Sequence, residues 1–179
     1  MADIHIHDKI FTPFIPAHKI QKRVAEVAAQ LNSEYAGRRP LLIGILNGSF
    51  IFAADLFRHL TIEAEISFIK LVSYKGTSST GHVVTAIGME EAIHGRHVII
   101  VEDIIDTGKT MSSFLPEILH RQPASVKITT FLTKPSALQF DVAADYTAFE
   151  IEDKFVVGYG LDYDGLGRNL PDLYILKEQ

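Results

Sequence analysis

Apolar positions recur along this chain with the periods of both helix and strand. From Ala17 to Leu31, residues Ile20, Val24, Val27, Ala28 and Leu31 fall on one helical face, with Lys19, Lys22, Arg23 and Glu26 largely off it. Such a stripe predicts a helix lying flat on a sheet. A short apolar run, Leu41 to Leu46, meets Asn47-Gly48-Ser49, which supplies turn chemistry and a helix cap. Phe50, Ile51, Ala53, Ala54, Phe57 and Leu60 continue it as a second helix. Strands are predicted from Ala64 to Val72 and, more weakly, from His82 to Ile87, separated by the polar, glycine-bearing SYKGTSSTG, which reads as a mobile segment. The uninterrupted run His97 to Val101 suits a central parallel strand buried on both faces. A helix from about Gly108 to His120 follows, with Pro116 expected to kink or shorten it, and then strands from Val126 to Leu132 and from Tyr146 to Ile151. Strands alternating with helices predict an α/β fold, a mainly parallel central sheet flanked by helices.

Composition narrows the classes of function. A length of 179 residues with 47% hydrophobic positions is one domain with a conventional core. The absence of cysteine excludes a disulfide scaffold, Cys-based metal sites and a thiol nucleophile. Seventeen Lys and Arg against 22 Asp and Glu, a formal charge of -5, argue against a general nucleic-acid binder. No run approaches the roughly 18 apolar residues of a membrane span. The opening MADIHIHDKIFTPF lacks the pattern of a signal peptide. A soluble, cytoplasmic protein without nucleic-acid or membrane partners is expected.

In open α/β sheets ligands sit beyond the carboxyl ends of the strands. There, VIIVEDIIDTGKT, residues 98 to 110, ends a hydrophobic strand in Glu102 and Asp103 and opens a helix with Asp106-Thr107-Gly108-Lys109-Thr110. Small residues at a helix N-terminus leave amides free for a phosphate, and Thr107 and Thr110 can add hydroxyl bonds. Three carboxylates beside an anion site call for Mg2+ or sugar hydroxyls. The plain alternative is that Asp106 caps the helix, which leaves Glu102 and Asp103 unexplained. Gly-Lys-Thr lacks the upstream glycine of an NTPase P-loop, and a receiver domain draws its carboxylates from separate strands. His5 with His7, and His94 with His97, have no evident third ligand and read as surface or structural residues.

VEDIIDTGKTM resembles the phosphoribosyl-diphosphate signature of the purine phosphoribosyltransferases, in their hypoxanthine-guanine branch. DKFVVGYGLDYDGLGRNLP, residues 153 to 171, is similar to that branch's purine-recognition segment. SYKGTSSTG stands where the family has its catalytic loop, and ILNGSF where it has its pyrophosphate loop. The resemblance implies the type I phosphoribosyltransferase fold: a single domain, 1–179, with a core at about 17–152 and a small hood formed by 1–16 and 153–179. It implies transfer of a 5-phosphoribosyl group from phosphoribosyl diphosphate to N9 of a 6-oxopurine. A regulator that binds phosphoribosyl diphosphate or nucleotide on the same fold without catalysis is the alternative.

Residue by residue, the resemblance puts Glu102 and Asp103 on the ribose hydroxyls, directly or through Mg2+, and residues Asp106, Thr107, Gly108, Lys109 and Thr110 around the 5'-phosphate. Asp106 also becomes the general base near N7 of the purine. Asn47, Gly48 and Arg168 face the pyrophosphate; Ser73 and Tyr74 close over the reacting centre. Lys134 donates to the oxygen at C6, Phe155 stacks on the purine, and Val156 meets its edge. Asp162 belongs to the purine side and binds a second Mg2+. Two departures stand out. Asn47-Gly48 replaces a common Lys-Gly, and Asp164-Gly165-Leu166-Gly167 replaces an Asn-Glu-containing stretch and is expected to be looser. A homodimer or homotetramer is implied.

Overall fold

The computed structural model describes residues 2–73, 83–88 and 90–178. In chain order the strands and helices are β1 (Ile4–Ile6), β2 (Lys9–Ile15), α1 (Ala17–Glu34), β3 (Leu41–Leu46), α2 (Phe50–Arg58), β4 (Glu65–Ser73), β5 (Val83–Ile87), β6 (His97–Ile105), α3 (Lys109–His120), β7 (Ser125–Thr133), β8 (Tyr146–Glu150), β9 (Val156–Val157) and β10 (Leu173–Leu176). Among the described residues they form two sheets. The larger runs β5-β4-β3-β6-β7-β8, parallel throughout except for β5, which pairs antiparallel with β4. The smaller, antiparallel sheet runs β1-β2-β10-β9 and joins the two ends of the chain.

Alternation along the central strands explains the layering. Leu42, Ile99 and Val101 pack with Ile20, Val24, Val27 and Leu31 of α1 and Phe52 and Leu56 of α2. Their neighbours Leu41, Ile43, Ile45, Val98 and Ile100 pack with Met111, Phe114 and Ile118 of α3. Successive side chains of a strand point to opposite faces, so both faces of β3 and β6 are filled, which is why those runs contain no polar alternation. Each fully buried side chain of this kind contributes about 1.5–3 kcal/mol. The small sheet holds its own cluster of Ile6, Phe11, Val157 and Tyr174.

Several expectations need correction. Helix α1 runs to Glu34, three residues past the apolar stripe, and α2 stops at Arg58 rather than Leu60. Ser49 stands at the N-cap position of α2 but makes no capping bond; its hydroxyl donates back to the carbonyl of Ile45 at 2.6 Å. Pro116 does not cut α3 short, since the helix continues to His120 with Phe114 and Ile118 buried on either side. The central strand continues through the acidic pair to Ile105 instead of ending at Val101. The Asp164-Gly165 stretch is an ordered turn: Tyr163 and Leu166 exchange backbone bonds of 2.9 and 3.1 Å, and the Gly165 amide donates to Asp162 at 2.7 Å. Positive φ at both Asp164 and Gly165 suits the tight turn, and glycine takes it without Cβ strain. Strands β1, β2, β9 and β10 were not expected from the apolar pattern. His5 lies within β1, and His97 bonds Ser125 at 2.8 Å, a structural role. Tyr74 and residues 75–81 of the SYKGTSSTG segment lie outside the described residues; Ser73 closes β4.

Candidate active site

The site begins where β6 outlasts its neighbour. Pairing with β3 stops at Gly44 and Val101, whereas β7 follows β6 as far as Ile105 and Thr133. The loop after β3 fills the space so opened. A Cβ added at Gly48 would stand 1.5 Å from Asp103 Oδ2, and one at Gly160 would stand 2.2 Å from the Gly48 carbonyl oxygen. Only glycine permits these approaches, so the loops carrying Asn47-Gly48, Asp103 and Gly160 lie against one another.

Glu102 is buried, 8% exposed, and its Oε2 has no hydrogen-bond partner among the described residues. Burial first, and then the neighbouring Asp103, push its carboxyl well above the usual carboxylate range. A group in this position is neutral or awaits a cation. Asp103 Oδ1 accepts from the amide of Ile104 at 2.9 Å.

The turn from β6 into α3 exposes backbone donors. The N-cap is Gly108, at φ 82°, with no side-chain capping bond, so Asp106 does not cap the helix. Thr107 Oγ1 accepts from the Lys109 amide at 3.3 Å, and the Thr107 carbonyl is gripped by the amides of Gln139 and Phe140 at 3.0 and 3.1 Å. That grip holds a cleft of about 240 Å³ lined by Glu102 through Met111. Oriented amides at the positive end of a three-turn helix suit a phosphate.

A second pocket, of about 160 Å³, shares the same strand end. Asp103, Ile104, Asp106, Lys134, Phe155, Val156, Leu161 and Asp162 line it. Lys134, at the end of β7, is 7% exposed, and its ammonium lies 3.4 Å from Asp106 Oδ2 and 3.2 Å from Asp153 Oδ1. Phe155 is 44% exposed, with its ring set edge-on to Tyr163 at 5.8 Å. Val156 is buried and paired with Ile175. Asp162 is engaged on both oxygens, by Arg168 Nη2 at 2.7 Å and by the Gly165 amide; Arg168 Nη1 also donates to the Gly160 carbonyl at 2.8 Å.

Six of the expected purine-side and strand-end residues, Asp103, Asp106, Lys134, Phe155, Val156 and Asp162, thus share one pocket, and Gly48 touches Asp103. Arg168 faces Asp162 and Gly160. Asp153 and Leu161 were missed. Asp153 is nineteen positions from Lys134 in the chain and is recognised only when two loops are seen together. Among the described residues no three acidic or histidine side chains converge as a metal cage. The unpartnered oxygen of Glu102 and the adjacent Asp103 are hard donors that fit Mg2+, which binds through one or two carboxylates and completes its shell with water and substrate oxygens. Among the described residues no helix is long and apolar enough to cross a membrane.

Known proteins agree with this geometry. The model of the phosphoribosyl transferase domain matches residues 15–164. The hypoxanthine-guanine phosphoribosyltransferase of Streptococcus pneumoniae is 44% identical over 162 residues, covering 90% of each chain. The hypoxanthine-guanine-xanthine phosphoribosyltransferase of Tritrichomonas foetus is 42% identical over 160 residues, 89% of this chain and 87% of that one. A crystal structure of a hypoxanthine-guanine phosphoribosyltransferase from Bacillus anthracis superposes with a TM-score of 0.87 at 38% identity, covering 92% of this chain and 97% of that one. With sequence, fold and strand-end clefts in agreement, this chain belongs to the phosphoribosyl transferase family.

Proposed function

We propose that the chain is a cytoplasmic purine salvage enzyme, a hypoxanthine-guanine phosphoribosyltransferase. It moves a 5-phosphoribosyl group from phosphoribosyl diphosphate to N9 of a 6-oxopurine and releases pyrophosphate. One observation carries the reading: a phosphate-suited cleft and a base-sized pocket meet at a single strand end, sharing Asp103, Ile104 and Asp106. A sugar spanning the two puts its anomeric carbon between leaving group and base. The division into a core at about 17–152 and a hood from 1–16 and 153–179 belongs to the same proposal and is supported by the separate sheet at the chain's ends.

Each residue then has a physical task. The amides and hydroxyls of Thr107, Gly108, Lys109 and Thr110 hold the 5'-phosphate. Glu102 and Asp103 face the ribose hydroxyls and, with Asp162, are the residues that would hold Mg2+. When bound, the metal offsets charge on the pyrophosphate. Asn47, Gly48 and Arg168 border the pyrophosphate, and the fork of Arg168 suits phosphate oxygens once it leaves Asp162. Phe155 stacks on the purine while Val156 presents backbone to its edge. Lys134 donates to the C6 oxygen and cannot accept from a 6-amino group, which favours oxopurines. As the N9 to carbon bond forms and the bond to pyrophosphate breaks, Asp106 takes the proton the ring loses at N7. Ser73 and Tyr74 complete the closure that keeps water from the ribosyl carbon. Homodimer or homotetramer assembly follows from the same resemblance, and sedimentation tests it.

The deciding assay mixes the protein with Mg2+, phosphoribosyl diphosphate and, in turn, hypoxanthine, guanine, xanthine or adenine. Nucleotide is expected from 6-oxopurines and not from adenine. Binding of phosphoribosyl diphosphate with no turnover of any base would establish the regulator in place of the enzyme.

A further inference from the structure

The ammonium of Lys134 is suspended between two carboxylates of unequal position. Asp106, on the loop after β6, stands 3.4 Å away; Asp153, on the loop between β8 and β9, stands 3.2 Å away. The lysine side chain is only 8% exposed, while the two acids are 47% and 62% exposed. A long, flexible lysine with a single acidic neighbour collapses onto it, because a direct charge-assisted bond of 2.7–2.9 Å is stronger than one at 3.4 Å. The lysine has not collapsed, and a second acid stands on its other side.

Asp153 is free to act this way because of its neighbours. The cation beside it in sequence, Lys154, is drawn to Glu178 at 3.3 Å and Glu152 at 3.8 Å. Asp153 also precedes Phe155 by two residues, and the Phe155 carbonyl is fixed by the amide of Leu176 at 2.9 Å. The segment carrying the Phe155 ring therefore also carries the second acid beside Lys134.

We propose that Asp153 is a positioning residue for base recognition. It draws the Lys134 ammonium away from a closed ion pair with Asp106, leaving the lysine aimed into the base pocket and the Asp106 carboxylate available to the purine. The inference rests on the function proposed above and adds a residue to it. Without Asp153 the lysine closes on Asp106, and both lose their task on the base together, while the phosphate cleft around Thr107 to Thr110 is untouched.

The test compares Asp153→Asn and Asp153→Glu with the unaltered protein in steady-state turnover of hypoxanthine. It also measures equilibrium binding of inosine monophosphate by calorimetry. Asp153→Asn is expected to raise KM for hypoxanthine about tenfold, the scale of one charge-assisted hydrogen bond, and to lower kcat because Asp106 is tied up by the lysine, with KM for phosphoribosyl diphosphate within about twofold. Inosine monophosphate should weaken in parallel, and Asp153→Glu should restore most of the loss. The side chain is largely exposed, so the thermal midpoint should hold. Unchanged hypoxanthine KM, equal losses for both substrates, or no rescue by Glu overturns the proposal. An unaltered protein that turns over no base defeats the functional reading instead, and nucleotide binding still judges Asp153.

Discussion

The two ends of the parallel sheet treat charge in opposite ways. Where the strands begin, Glu34 at the end of α1 accepts from the Tyr146 hydroxyl and pairs with Lys127 at 2.9 Å. Lys127 also reaches Asp145 at 3.7 Å and lies 5.4 Å from the centre of the Tyr146 ring. At the same end of the sheet, Glu65 pairs with Arg39 at 3.1 Å and Arg96 at 3.0 Å. Where the strands end, Glu102 is buried with an oxygen that has no partner among the described residues, and Lys134 is shared between acids at long range. Charges that only fasten helix to sheet neutralise one another. Charges left unbalanced, at a cost in stability, mark the end that waits for a ligand.

The contrast reaches into pH dependence. The Tyr146 hydroxyl first, then Lys127, hold the Glu34 carboxyl below its ordinary value of 4.5. Its stabilisation is therefore full above that value and is lost as pH falls through the lowered one. Glu102 has the opposite sign. Burial and Asp103 raise it, so its contribution is full below 4.5 and is lost as pH rises through the elevated value.

Four experiments break or sharpen the comparison. The largest effect is expected for Asp106→Asn, which should lower kcat by about 10²–10³ with phosphoribosyl diphosphate binding and thermal midpoint nearly unchanged. Equal losses of kcat and binding would reduce Asp106 to a ligand contact. Next, Glu102→Gln should cut kcat/KM by at least about tenfold. It should also raise the midpoint near pH 8 by about 2–4 °C, the response to relieving roughly 1 kcal/mol. A midpoint that drops would make Glu102 a structural acid like Glu34. At the opposite end, Tyr146→Phe should cost about 1 kcal/mol in urea unfolding and leave kcat alone. Altered kcat there would show that the two ends communicate. The smallest effect belongs to Glu34→Gln, which should flatten the fall in midpoint as pH drops below 4.5. An unchanged slope would place the acid sensitivity elsewhere.

Much of this architecture can be read from residue order, for reasons that differ between regions. Leu41 to Leu46 and His97 to Val101 announce buried strands because both faces must be apolar, and Ile20 to Leu31 announces α1 through its stripe. The small sheet is silent. β9 is two residues long, β1 is three, and β2 carries Pro13, and the pairing of β2 with β10 that unites them joins residues more than 140 positions apart. Glu102 through Thr110 is legible as chemistry because its groups are consecutive. The Lys134 and Asp153 pair is not, since two loops bring it together. Even in the legible stretch, charge along the chain does not reveal that Glu102 lies inside the sheet while Asp106 stands outside it, half exposed.

The strand at Leu173–Leu176 is the seam of the smaller sheet: it alone binds β2 on one side and β9 on the other. It also supplies the amide that anchors Phe155, and just before it Asp172 accepts from the first amide of α1 at 2.6 Å. Trimming the protein from its carboxyl end would thus behave less like shortening a tail than like removing a keystone. The exposed Phe155 ring, the start of α1 and the amino-terminal hairpin would come loose in one event, and the body of parallel strands would lose Leu173 from its core. Tags and fusions are accordingly better borne at exposed loops of that body than exchanged for these last few residues.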